Sequence, residues 1–236
     1  MQQNLDKLLS LAQNLEIISI HVPKTAGTSF NELLELNYGK NYCLADINYS
    51  VNEIISKQLI SDETKVIFGH ISANKYISFS SLQNIKMIVW LREPIRRLIS
   101  WYCYCISSPP EFFGGGFQSF VNKEKPSFMD FAQMLETRNT MSRQLKGVDL
   151  NNFYFVGIQE YFQEDVYLLS EMLCWSKPII KAANKNKFDR YKEFASEIVS
   201  NTGNLAYLKI LNKEDVKLYN EALKLRKKYY KFNSFY

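Results

Sequence analysis

Three short segments of this 236-residue chain bring together residue types that do chemistry in combination. In the first, Ile20-His-Val-Pro-Lys-Thr-Ala-Gly-Thr-Ser-Phe30, a lysine (Lys24), a glycine (Gly27) and three hydroxyls (Thr25, Thr28, Ser29) share one bend. Such a bend can hold an anion where it opens a helix, because the first N–H groups of a helix are unpaired and its dipole favours negative charge there. Ala26 and Gly27 would let a ligand approach the backbone. The three hydroxyls add donors, and Lys24 adds a mobile charge that can follow charge as it develops. A Ser or Thr cap alone accounts for one hydroxyl, not for the whole set.

The second segment, Lys86-Met-Ile-Val-Trp-Leu-Arg-Glu-Pro-Ile-Arg-Arg-Leu-Ile-Ser-Trp101, is an apolar run that ends at Leu91 and is followed by Arg92. Pro94 suits the first position of a helix, and Ser100 lies about two turns further on. An arginine in that place can clamp a phosphate with two parallel hydrogen bonds. Arg96 and Arg97 read as a solvated helix face. The third segment, Lys65-Val-Ile-Phe-Gly-His70, ends an apolar run on a histidine, the side chain suited to proton transfer near neutral pH. His21 reads as a packed residue or one that supports the site. Glu32 and Glu35 are alternative carboxylate bases.

These groups need elements that bring them together. Strand patterns cover 16–22, 65–69, 86–91 and 153–157, and helix patterns cover 29–36, 51–59, 94–106, 127–136, 160–173 and 213–232. Short, continuously apolar strands alternating with helices predict an α/β fold with a parallel sheet. In such a sheet the strand ends converge, and ligands sit beyond their carboxyl ends. Residues 107–126, with Pro109-Pro110 and Gly114-Gly115-Gly116, read as an irregular and mobile loop. Residues 1–15 read as a helical extension, and the whole of 1–236 as one domain.

Composition narrows the classes. A net charge of +5 fits an anionic ligand without pointing to a nucleic-acid partner, and no run is long enough to cross a membrane. The N-terminus lacks a basic, apolar leader, so the four cysteines are expected to be reduced in a cytoplasmic, most simply bacterial, protein. Two histidines and no carboxylate cluster argue against a metal.

The loop lacks the Gly-x-x-x-x-Gly-Lys-Ser/Thr spacing of triphosphate-binding loops, because Lys24 precedes Gly27. Pro23-Lys24-Thr25-x-x-Thr28-Ser29-Phe30 instead resembles the sulfotransferases that use 3′-phosphoadenosine 5′-phosphosulfate (PAPS), most closely the heparan and chondroitin uronosyl 2-O-sulfotransferase branch. Arg92-Glu93-Pro94-x-x-Arg97-x-x-Ser100 resembles their second signature, and Gly69-His70 the segment that carries their base. Phe68 stands where that branch often has a second histidine. Weaker likenesses at 139–147, 155–162 and 215–219 extend the resemblance over about residues 16–230.

The resemblance implies a P-loop-like central parallel sheet flanked by helices. It implies a loop (Lys24, Thr25, Ala26, Gly27, Thr28, Ser29) gripping the 5′-phosphosulfate, with Arg92 and Ser100 on the 3′-phosphate. His70 would take the acceptor proton and Lys24 would neutralise the leaving oxygen. PAPS would be the co-substrate, 3′,5′-diphosphoadenosine (PAP) the product, and no metal would take part. The acceptor would be a hydroxyl of a glycan or small molecule. Arg143 reads equally as an acceptor contact or a surface arginine, and 184–187 falls where the family often has a loop over the nucleotide. A P-loop-type phosphotransferase and a non-catalytic nucleotide-binding protein are the competing readings.

Overall fold

The computed structural model describes residues 14–45, 60–76, 84–176 and 190–233. The predicted helix 51–59, the segment 184–187 and most of the N-terminal extension lie outside the described residues. Strands β1 (Ile17–Ile20), β2 (Tyr42–Ala45), β3 (Val66–Gly69), β4 (Lys86–Leu91) and β5 (Phe155–Ile158) form one parallel sheet in the order β2-β3-β1-β4-β5. The expected α/β architecture is present. β1, β3 and β5 are buried along their whole length, which is why their sequences are continuously apolar rather than alternating. The edge strand β2 escaped sequence reading because it is short and half-buried, with Leu44 exposed between buried Cys43 and Ala45.

Side chains leave alternate faces of each strand and split the core in two. Ile17, Ile88, Trp90 and Phe155 pack with Phe30, Leu33 and Leu34 of α1 (Gly27–Tyr38). Ile18, Ile20, Met87, Val89 and Ile158 pack on the other face with Met141 and Leu145. A third cluster surrounds α2 (Pro94–Ser107), which packs against α3 (Gly116–Glu124) and α4 (Phe128–Gln133). Glu93 caps α2 by accepting from the Arg96 N–H at 2.7 Å, with Pro94 at the first helical position as expected.

Two expectations need correction. The stretch 107–126 is not one irregular loop, because α3 occupies much of it. Val121 is buried there, and the Asn122 amide donates to the carbonyls of Cys105 and Ser108 at 2.7 and 2.9 Å. The glycine run thus introduces a helix, with Gly115 and Gly116 at φ 122° and 70°. The helix expected over 127–136 ends at Gln133, and the chain re-forms a helix as α5 (Thr140–Gln144) after a left-handed Asn139. Beyond β5 come α6 (Phe162–Met172), α7 (Tyr191–Ser200), α8 (Thr202–Leu211) and α9 (Lys213–Asn233).

Candidate active site

From β1 the chain runs through α1 to β2 on one side of the sheet, and from β4 it runs to β5 on the other. The crevice between the carboxyl ends of β1 and β4 is therefore the switch point at which an α/β sheet receives ligands. The loop after β1, Arg92 after β4 and His70 after β3 leave three adjacent strands and meet there.

The loop is built as a concave donor surface. Lys24 and Ala26 have φ of 69° and 75°, whereas Thr25 and Gly27 stay negative, so the sign alternates along four residues. Such alternation turns successive N–H groups toward one side and makes an anion-binding nest. Two non-glycine residues in the left-handed region carry a strain of about 1 kcal/mol each or more. Helix α1 starts without a side-chain cap, and its first internal bond runs from the Phe30 N–H to the Ala26 carbonyl at 3.1 Å.

Not every loop residue does what its type suggested. The Thr25 hydroxyl is buried and donates to the Val22 carbonyl at 2.8 Å, so its proton is committed to the loop itself. Thr28 is exposed and Ser29 half-buried. The space beside Gly27 is taken by the His21 ring, because a Cβ there would lie 1.8 Å from His21 Nε2. A side chain of the protein itself therefore demands glycine at position 27.

His21 and His70 form a stacked pair, with ring centroids 4.1 Å apart and planes 24° apart, and the His21 ring also stacks on Phe68 at 4.9 Å. Burial first, then the neighbouring His70 and Lys24, pushes the His21 imidazole down to about 3, so it stays neutral across the physiological range. His70 Nδ1 lies 2.9 Å from the His21 carbonyl oxygen. A carbonyl can only accept, so Nδ1 carries a hydrogen, and in the neutral ring the lone pair is then on Nε2. This is the tautomer a general base requires.

Arg92 ties two of the strand ends together. Its Nη1 donates to the Lys24 carbonyl at 3.2 Å and its Nη2 to the Tyr191 hydroxyl at 3.1 Å. Its Nε is buried and lacks a partner among the described residues, an orphaned donor of the kind a bound oxyanion would satisfy. Ser100 is buried on α2, two turns beyond. The Lys24 ammonium lies over the Tyr104 ring, 4.0 Å from its centroid. Burial, then the Arg92 charge, lowers it to about 8, with Cys105 and Cys103 acting in the opposite sense.

Arg97 corrects the sequence reading. Far from being solvated it is wholly buried, and its Nη2 donates to the Thr137 carbonyl and the Thr140 hydroxyl, each at 3.3 Å. The signal was present: Arg97, Ser100 and Tyr104 follow at i, i+3 and i+7 on one helical row. That row also predicts Tyr104, whereas Tyr191 carries no local signal and Gln144 only the weak likeness over 139–147. Arg143 is exposed and its guanidinium donates to the Glu136 carbonyl, so it is held on the surface. Glu32 and Glu35 are exposed on α1, with Glu35 accepting from Asn31 at 2.7 Å. Among the described residues no cluster of His, Cys, Asp and Glu could hold a metal, and no helix is long and apolar enough to cross a membrane.

The sulfotransferase family model Sulfotransfer_2 matches residues 9–232. Among solved structures, a mouse sulfotransferase, SULT7A1, complexed with PAP is similar over 86% of this chain and 71% of its own, with 12% identity and a TM-score of 0.47. No curated protein matches the chain.

Proposed function

We propose that this chain, which belongs to the sulfotransferase family, transfers a sulfuryl group from PAPS to the hydroxyl of a glycan or small-molecule acceptor. PAPS supplies the sulfuryl group on a phosphate that departs as PAP. The chain supplies everything else. The loop N–H groups from Lys24 to Ser29 cradle the 5′-phosphosulfate, and Arg92 and Ser100 hold the 3′-phosphate. His70 Nε2 takes the acceptor proton as the new oxygen–sulfur bond forms. Lys24 neutralises the phosphate oxygen released as the old bond breaks, a preorganised charge aimed at the transition state. The resemblance to the uronosyl 2-O branch favours a sugar hydroxyl, and a bacterial, cytoplasmic setting is the simplest one.

The observation that carries this reading is the joining of three neighbouring strand ends: an N–H nest after β1, an arginine after β4 bonded to the nest's own Lys24 carbonyl, and a histidine after β3 in the tautomer of a base. Calorimetry with PAP, 5′-AMP and ATP–magnesium tests it, followed by transfer of radiolabelled sulfate from PAPS to a panel of acceptors. PAP should bind at least about tenfold more tightly than 5′-AMP, the value of one charge-assisted contact, and Arg92→Met should erase the difference. Binding of ATP–magnesium without binding of PAP would instead indicate a phosphotransferase.

Lys24 gives the binding a pH dependence. Its ammonium titrates near pH 8 in the free protein. A phosphate placed beside it favours the charged form and raises that value. Above pH 8 the free lysine is increasingly neutral, so binding must draw in a proton, and PAP affinity weakens as pH rises through about 8. Titrations at pH 9 in buffers of different ionisation enthalpy should show this uptake, and Lys24→Met should remove it. Equal apparent enthalpies in every buffer would exclude Lys24 as the responding group.

A further inference from the structure

We infer that Gln144 is a positioning residue for His70: its side-chain amide spans the backbone on either side of that histidine and fixes the carbonyl that sets the histidine's tautomer. Gln144 Nε2 donates to the His21 carbonyl at 2.8 Å and lies 3.3 Å from the Ile71 carbonyl. An amide nitrogen has two hydrogens, one for each. His21 leaves β1 and Ile71 follows β3, so one group ties together the two chain segments between which His70 sits. The His21 carbonyl oxygen thus receives both of its hydrogen bonds from this site, one from Gln144 and one from His70 Nδ1.

The residue that carries this oxygen is held at its other end as well, because the His21 N–H, in the preceding peptide, donates to the Gly69 carbonyl at 2.7 Å. With both ends held, the carbonyl keeps a constant direction, and the His70 ring follows it while stacked on His21. Gln144 is itself fixed, although α5 has only five residues. The Asp215 carboxylate accepts from the N–H groups of Met141 and Ser142 at 3.2 and 2.8 Å and from the Ser142 hydroxyl at 2.7 Å. Asn139 answers by accepting from the N–H groups of Glu214 and Asp215 at 3.0 and 3.2 Å. The line of support runs from α9 through α5 to Gln144, the His21 carbonyl and the His70 imidazole.

Without Gln144 the carbonyl can rotate, the Nδ1–H bond loosens, and the hydrogen can move to Nε2, where it blocks proton uptake. The kinetic part of this inference rests on His70 being the base of the proposed transfer; the tautomer part does not. With two histidines in the chain, long-range nitrogen–proton correlation spectra of the full ¹⁵N-labelled protein resolve both rings. In the wild type, neutral His70 should be protonated at Nδ1. In Gln144→Leu it should become a mixture of tautomers, with kcat down about tenfold, the equivalent of one net hydrogen bond, and PAP affinity unchanged.

A variant with wild-type spectrum and wild-type kcat would overturn the inference, as would a wild-type His70 protonated at Nε2, which needs no variant at all. Gln144→Met, which keeps the length of the side chain without its donors, serves if Gln144→Leu does not fold. A tautomer shift in a protein whose wild type transfers no sulfate would retain the positioning role and reject the transfer.

Discussion

His70→Ala should lower kcat by about a thousandfold while the protein still binds PAP with its original affinity. Deprotonating the acceptor in the transition state contributes about 10²–10⁴ in rate when a positioned side chain does it. Among the described residues, neither the second histidine nor the candidate carboxylates are placed to take over the task. His21, the only other imidazole in the chain, is held near 3 and faces the interior stack. Glu32 and Glu35 are exposed on α1. In the proposed site the loop and Arg92 hold the donor, so removal of the imidazole should appear in kcat and not in calorimetry with PAP. His70→Asn should be equally inactive, since its amide has no basic nitrogen. Retention of more than a tenth of wild-type turnover by either variant would remove His70 from the mechanism.

Gly27→Ala should be nearly as damaging for a different reason. The added methyl would sit 1.8 Å from His21 Nε2, well inside van der Waals contact. His21 is not free to move aside, because its ring stacks on both Phe68 and His70 and its backbone is bonded to Gly69 and Gln144. Relief must come from moving the loop or His70, and either change disturbs the site. Overpacking of this kind costs about 1–3 kcal/mol, so the melting temperature should fall along with both PAP affinity and turnover. Adding His21→Ala removes the atoms in the way, and the double variant should recover stability over Gly27→Ala alone. Additive losses would show that the clash is not the cause. By contrast Ala26→Gly, at a φ of 75° natural to glycine, should leave the loop intact.

The legible parts of this chain were those encoded locally. The buried parallel strands are continuous apolar runs, and the Pro-Lys-Thr turn and the Arg-Glu-Pro junction carry their residue types in fixed order, so four of the five strands and the strand-end positions of Lys24, Arg92 and His70 are legible in the sequence. Relations across the sheet are not. Nothing in the sequence says that the glycine of the loop faces a histidine ring six residues earlier, or that Thr25 turns its hydroxyl inward. Gln144 lies 123 positions from the carbonyl it holds, and Tyr191 lies 99 from Arg92. Arg97 differs for a physical reason: its helix face is covered by other helices, and Thr137 and Thr140 from a separate stretch accept from its Nη2 while its Nε and Nη1 stay buried without a hydrogen-bond partner among the described residues. The glycine run at 114–116 misled in the opposite sense, because flexible residues can introduce a helix as well as a loop.

The central place of β1 has a kinetic meaning. It pairs with β3 and β4, and its carboxyl end is completed by groups 49 and 123 positions away. Contacts of such sequence separation form late and slowly, because the intervening chain must be closed before they stabilise anything. No short fragment of the chain holds the cradle, the arginine and the histidine together. During refolding, helical signal should therefore return well before the capacity to bind PAP. Ligand binding is then the most demanding spectator of folding this molecule offers: it reports the completed sheet, and no partly assembled state should imitate it.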